Sequence, residues 1–338
     1  MLHTLVAGLG RAGAGLHLRV LAKARAAAGE LFQPGPVLAC DPMEHACTEQ
    51  RGVTVVDSVR TAAGLADPSR TAVHVCTPPV RRPELLRELA GLGYRRIIVE
   101  KPLAADSDEY AQIASLRERY GLNLAVVAHW LESALTTRLA RLLAGSGRGR
   151  LRSIRFAQHK PRFHRSLVTS GHPTAFDVEL PHSLGVVLRL AGPAGLVAAE
   201  CSDMRCGHVV APRMGAAAMT LRHDSGVLSE LRSDLTAPVR ERSITLEFEH
   251  GRVTGHYPLS DDDDHAQLVV DGAEPEVFPD DALTAFMLRA YRDFAAGRTA
   301  EHFGLHGDVV RLMTAAKRCG LPTGAEGTGA EGSRAHAG

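Results

Sequence analysis

Three short segments of this chain place ligand-grasping or reactive residues directly after apolar runs. Gly8-Leu9-Gly10-Arg11-Ala12-Gly13 follows the run beginning at Leu5 and opens a helical pattern, which is the context a dinucleotide fingerprint needs. Gly8 permits the tight turn, and Gly10 lets the N–H groups of the loop, Arg11 and Ala12 among them, approach a pyrophosphate. Gly13 lets helix and strand pack closely, while the helix N-terminus supplies partial positive charge. Asp41 ends the second apolar run. A carboxylate there accepts hydrogen bonds from ribose hydroxyls and repels a 2′-phosphate, so NAD is expected over NADP. Cys76-Thr77-Pro78-Pro79 and Glu100-Lys101-Pro102-Leu103 close two further runs. In an open α/β sheet such strand ends face the ligand crevice. Thr77 and Pro78 are therefore placed to touch a cofactor, with Glu100 beside them. Lys101 is placed to orient a substrate hydroxyl and ease its deprotonation by charge.

The elements that must hold these residues are legible as alternation. Residues 5–8, 37–40, 72–76, 96–99 and 122–128 read as short buried strands, and 16–28, 83–92 and 107–120 read as helices between them. Strand, helix, strand, repeated, predicts a doubly wound parallel sheet over residues 1–125. After the glycine-rich stretch at 145–149 strand signals dominate: 151–158, 197–204, 216–222, 226–233, 242–249 and 266–270. They predict a large open, mostly antiparallel sheet in an α+β domain over 126–320, faced by a helix at 183–190 and followed by helices at 281–296 and 308–319. Residues 321–338 have almost nothing to bury and are expected to form a disordered tail.

Composition excludes several function classes. Lys plus Arg number 39 against 38 Asp plus Glu, so the basic footprint of a nucleic-acid or anionic-membrane binder is missing. No apolar stretch is long enough to span a bilayer and no export signal is read at the N-terminus. The six cysteines form no C-x-x-C pair, and Cys40 and Cys76 sit in apolar runs as small hydrophobes. A reduced, cytoplasmic protein is expected. His302 and His306 share a helical face but lack a third ligand, and read as a surface pair. Asp261–Asp264 lacks the ligand alternation of a calcium loop and reads as a solvated turn. No metal site is expected.

The glycine fingerprint, then T-P-P, then E-K-P-L, then an antiparallel domain resembles the glucose-fructose oxidoreductase, inositol dehydrogenase and rhizopine catabolism family over roughly residues 1–320. The resemblance implies a pyridine-nucleotide Rossmann domain and a C-terminal domain whose open sheet makes a homodimer or homotetramer. It also implies hydride transfer at a carbinol or carbonyl carbon of a sugar or cyclitol, free or phosphorylated. The family's acid-and-histidine element maps onto Phe176-Asp177-Val178-Glu179-Leu180-Pro181-His182, with His182 as acid or base and Asp177 or Glu179 as partner of substrate or histidine. Arg82 stands where a histidine often caps the nicotinamide side, and His129 opens the stretch that replaces a polar N-x-R. The family lines its substrate pocket after the first strand of the second domain. There this chain carries Lys160, Arg162, His164 and Arg165, which suit a phosphate or carboxylate. Two other readings accompany a dehydrogenase: a redox-elimination enzyme that retains NAD, and a non-enzymatic sensor that binds NAD and a sugar.

Overall fold

The computed structural model describes residues 1–42, 51–145, 147–168, 172–260 and 263–319. The expected tail at 321–338, Cys47 and half of the Asp261–Asp264 turn lie outside the described residues.

The first sheet holds β1 (His3–Ala7), β2 (Val37–Cys40), β3 (Val53–Val55), β4 (Thr71–Val75), β5 (Arg96–Val99) and β6 (Asn123–Val126). All pair in parallel, in the order β3-β2-β1-β4-β5-β6, so the switch point of the doubly wound sheet lies between β1 and β4. The connecting helices are α1 (Leu18–Ala27), α2 (Val59–Leu65), α3 (Arg82–Gly91) and α4 (Ser107–Tyr120). α4 begins where the sequence predicts because the Asp106 side chain accepts the N–H groups of Asp108 and Glu109. α1 begins later than predicted, at Leu18, because a π-turn over Gly13–His17 precedes it. Edge strand β3 and helix α2 are short and only partly apolar, and the alternation pattern misses both.

α5 (Ala134–Ala144), capped by Ser133, leads to β7 (Leu151–His159), α6 (Phe163–Val168) and α7 (Ala175–Ala191). Then come β8 (Ala194–Cys201), β9 (Met204–Cys206), β10 (Val209–Ala211), β11 (Ala216–His223), β12 (Leu228–Asp234), β13 (Glu241–Phe248), β14 (Arg252–His256), β15 (His265–Val270) and β16 (Glu276–Pro279). Among the described residues, eight of these make the order β16-β15-β14-β13-β7-β12-β11-β8, antiparallel except at β7–β12. One face of this sheet lies on α7, whose Phe176, Leu180, Leu184 and Val187 are buried with Phe156, Leu231 and Leu246. The expected helix at 183–190 thus starts earlier, at Ala175. Thr174 and Asp177 form a capping box there, and Pro181 sits within the helix. Two last helices, α8 (Ala282–Ala295) and α9 (Phe303–Cys319), differ in partner. α8 buries Phe286, Met287, Tyr291 and Phe294 against the β1 face of the first sheet, whereas α9 contributes to both cores.

The tightest backbone approach in the glycine loop is at Gly13, where a Cβ would lie 1.8 Å from the carbonyl oxygen of Gly8. Gly13→Ala is expected to destabilise the fold by about 3 kcal/mol through overpacking. Urea unfolding followed by circular dichroism measures this, and Gly10→Ala, whose Cβ meets nothing within 4 Å, is the control expected to fold as the parent does.

Candidate functional site

At the switch point the chain is closely drawn together. Gly8 has φ +100° and its N–H donates to the Cys40 carbonyl at 2.8 Å. A Cβ on Gly8 would press on the Cys76 carbonyl carbon at 3.0 Å and the Thr77 nitrogen at 3.1 Å, so only glycine fits without strain. The Asp41 carboxylate accepts the Leu9 N–H at 2.6 Å, which sets the acid at the rim of the glycine loop. The open space over Gly10 and the exposed Arg11 complete a cradle of the shape a dinucleotide pyrophosphate needs.

Arg82 does not reach the open cleft. Its guanidinium is buried, 1% exposed, and donates to the carbonyls of Thr77 at 2.6 Å, Glu100 at 2.8 Å, Leu103 at 3.2 Å and also Pro102. It fastens the T-P-P turn to the E-K-P-L turn. Burial lowers its pKa to about 10 against the opposing pull of Glu100, so it stays charged at neutral pH. Lys101 precedes a cis proline bond, and its ammonium donates to the Val178 carbonyl on α7 at 2.8 Å. Burial pulls the Lys101 pKa down, while Glu100 and Asp177 hold it up.

His182, on α7 one turn beyond Val178, lines a cleft of about 360 Å³. Arg11, Arg19, His129, Glu179, Arg242 and Tyr257 share that lining. The Nδ1 atoms of His182 and His129 are buried and have no hydrogen-bond partner, and the two rings meet edge to face at 4.9 Å. Burial, then the Lys101 charge, holds His182 well below the usual histidine range. Burial likewise lowers His129 to about 4. Both rings are therefore neutral at pH 7, and His182 is free to accept a proton. Beside them Trp130, Tyr257 and Phe156 form a mutual cluster of near-parallel rings, Trp130 lying 4.5 Å from Tyr257 and 5.6 Å from Phe156 and those two 5.7 Å apart.

The two acids beside His182 have different surroundings. Asp177 accepts from the Thr174 N–H and hydroxyl at 3.1 and 2.7 Å and from Lys317 at 3.1 Å, so it caps α7 and ties it to α9. Glu179 lines the cleft, accepting from Gln158 at 3.1 Å and pairing with Lys160. Burial and the cations Arg242, Lys101, Arg162 and Arg11 push Lys160 down to about 7. Arg162 is buried and donates to Ser166 at 2.9 Å. His164 is exposed and Arg165 partly so, both on α6 rather than in a loop. Of the four basic residues read from the sequence, Lys160 and Arg162 thus face the catalytic candidates electrostatically.

Sequence reading missed Arg242, Trp130, Tyr257 and His172. Arg242 pairs in register with Gln158 across β13–β7, and its guanidinium lies 5.8 Å from the Trp130 ring and donates to the Pro258 carbonyl. Its position could have been found only by knowing which strand lies beside β7. His172 is lowered to about 4 by burial and by Lys101 and Arg162. His306, expected at the surface, is buried, and burial lowers it to about 3. No group of three ligand-type side chains among the described residues could hold a metal ion, and no described helix could cross a membrane.

Comparison with known proteins agrees with this architecture. Residues 2–128 match the model of an oxidoreductase family with an NAD-binding Rossmann fold. No curated protein matches the chain by sequence. The structure is similar to KijD10, a 3-ketoreductase from Actinomadura kijaniata solved with NADP and TDP-benzene. The TM-score is 0.76 at 16% identity, covering 94% of this chain and 98% of that one. An oxidoreductase from Thermotoga maritima gives a TM-score of 0.77 at 14% identity, covering 94% and 96%. UDP-N-acetylglucosamine 3-dehydrogenase GnnA from Acidithiobacillus ferrooxidans gives 0.69 at 20% identity, covering 94% and 97%.

Replacing Arg82 by Met leaves its carbonyl partners buried without donors, an expected loss of about 3 kcal/mol. Because those carbonyls belong to the turns carrying Thr77 and Lys101, NADH affinity by fluorescence titration should fall with the stability. In Arg81→Met, a change at a neighbouring exposed side chain, both should stay at the parent values. The match to the glucose-fructose oxidoreductase, inositol dehydrogenase and rhizopine catabolism family of oxidoreductases, with its NAD-binding Rossmann fold, is thus carried by residues 2–128.

Proposed function

We propose that this enzyme transfers hydride between a nicotinamide dinucleotide, NAD in preference to NADP, and a carbinol or carbonyl carbon of a sugar or cyclitol that carries a phosphate or diphosphate. The observation that carries the reading is the approach of Lys101 to His182, whose buried Nδ1 has no partner and whose ring lines a cleft shared with Arg11 of the glycine loop. Gly8, Gly10, Arg11, Ala12 and Gly13 would hold the pyrophosphate, Asp41 the ribose hydroxyls, and Cys76, Thr77, Pro78 and Glu100 the nicotinamide end. The bound dinucleotide supplies or accepts the hydride.

The rest belongs to the chain's own side chains. Lys101 stabilises negative charge on the substrate oxygen, and His182 takes that oxygen's proton on oxidation and returns it on reduction. Neutral at rest, His182 becomes a strong acid once protonated, because burial and the Lys101 charge both disfavour its cation. Lys160, Arg162 and Arg242 with Arg11 form a cluster of cations close enough to lower the Lys160 pKa. That cluster, at one side of a cleft whose lining also carries Glu179, Asp264, Asp280 and Asp281, supports an anionic substrate group. KijD10 and GnnA, which share the fold, are a ketoreductase and a sugar-nucleotide dehydrogenase. This supports testing nucleotide sugars beside simple sugar phosphates. The reading also places the protein in the cytoplasm as a homodimer or homotetramer through the open face of the second sheet.

The test is NADH fluorescence and turnover with free sugars, sugar phosphates, cyclitols and nucleotide sugars. Titration calorimetry should show NADH binding more tightly than NADPH, with the order reversed or levelled in Asp41→Ser. Lys101→Met and His182→Asn should each lower kcat by about 10²–10⁴ while NADH still binds. Tight NADH binding without turnover of any compound would favour a sensor, and no NADH binding at all would overturn the proposal.

A further inference from the structure

Beneath the glycine loop runs a line of polar side chains that this chemistry does not use. His17, fully buried in the π-turn, places Nε2 2.9 Å from Glu100 Oε1 and Nδ1 2.8 Å from Nδ1 of His74 on β4. His74 Nε2 lies 3.0 Å from the Tyr291 hydroxyl on α8, and that hydroxyl lies 2.8 Å from Thr4 Oγ1 on β1. The other Glu100 oxygen accepts the Lys101 backbone N–H at 3.2 Å. The line therefore joins four elements and ends on the peptide of Lys101.

Donor counting gives the line a direction. An ionised carboxylate only accepts, so His17 donates from Nε2, and in the neutral ring Nδ1 is then a lone pair. His74 must donate from Nδ1, which leaves its Nε2 as acceptor for the Tyr291 hydroxyl. The tyrosine oxygen in turn can accept from Thr4. A cationic His17 would force the reverse: His74 would have to accept at Nδ1 and donate to Tyr291. His74 itself is held well below the usual histidine range by burial. Around Glu100 stand His17, Lys101, His129 and, more distantly, the buried Arg82 guanidinium and Cys76 thiol. Burial opposes the Glu100 charge, yet the hydrogen bond from His17 and the neighbouring Lys101 hold its carboxyl below the usual range.

We propose that His17 and His74 are positioning residues for Lys101: a one-way line of neutral donors, fed from Tyr291, fixes the Glu100 carboxylate as an anion against the Lys101 peptide. The inference rests on the role proposed for Lys101, but its first test needs no turnover. Nitrogen-15 spectra of the full chain, labelled at histidine, should show at pH 7.5 the proton on Nε2 of His17 and on Nδ1 of His74. A cationic His17, or either ring in the opposite tautomer, overturns the proposal.

The second test follows the Glu100 carboxyl carbon by carbon-13 spectra, assigned by its loss in Glu100→Gln. His17→Phe should raise the Glu100 titration by about 1–2 pH units. His17→Gln, whose amide can place an N–H near the position of Nε2, should restore it, and Tyr291→Phe should move it in the same direction by less. An unmoved carboxyl in a folded His17→Phe would make the line merely structural and overturn the proposal. Should His17→Phe fail to fold, the wild-type tautomers and Tyr291→Phe decide. Where a substrate is turned over, His17→Phe should lose kcat by about tenfold with the cofactor KM unchanged. If no substrate is found, the function proposed for Lys101 fails while the tautomers and the carboxyl titration still report on the line.

Discussion

The buried Arg82 guanidinium is the contact on which the site depends. The turns after β4 and β5 carry Thr77 and Lys101, and parallel pairing of their strands does not fix how those turns leave the sheet. Carbonyls at strand ends have no partner in the ladder and must find one elsewhere. One planar, multiply donating cation meets four of them, which a histidine at this position could not do. The arrangement makes the two turns one rigid body. It also keeps a positive charge behind Glu100, so the pair of acid and lysine is framed by a cation from within and a cleft from without.

The same economy of buried charge appears on α7. Sequence offers Asp177 and Glu179 as rivals for one role, and the helix separates them by geometry. A residue at N3 of a capping box is turned back to its own N-cap, and Asp177 is held there by Thr174 and Lys317. Lys317 also donates to the Ala105 carbonyl, just past the E-K-P-L turn. Asp177 therefore joins the N-terminus of α7 to the segment that carries Lys101. Glu179, two residues on, lies on the cleft side with Lys160 and Gln158.

How much of this was legible in sequence depends on the range of the interaction. The parallel sheet was readable because each strand is a short, wholly buried run bounded by a turn, and the glycine loop because its spacing is set by local backbone geometry. Lys101 and His182 were singled out from motif order, and the structure brings the two close together. The start of α7 was not, since Pro181 and the polar residues 177, 179 and 182 break the apolar pattern that tertiary burial restores. Arg82 has the look of an exposed residue in the Arg81-Arg82 pair, and only the carbonyls of distant turns make it interior. Arg242 on β13, Tyr257 just past β14 and Trp130 in the turn before α5 meet through strand pairing and through contacts that span about a hundred residues, which no local pattern encodes.

His17 and His74 show the other side of that limit. In sequence each is a lone polar residue within an apolar element, and β4 reads as a buried strand despite His74. Burying either ring alone would cost the unmet hydrogen bond of two nitrogens. Burying both, with Glu100 at one end and Tyr291 at the other, satisfies every nitrogen. The pair is therefore tolerable only as a set, and the set exists only because α8 returns from the far end of the chain to cover the β1 face of the first sheet. Helix α8, which covers that face of the Rossmann core, thus also completes the polar line that ends on the Lys101 peptide. A strand, a π-turn and a distant helix share one physical requirement: that a carboxylate out of water be given donors.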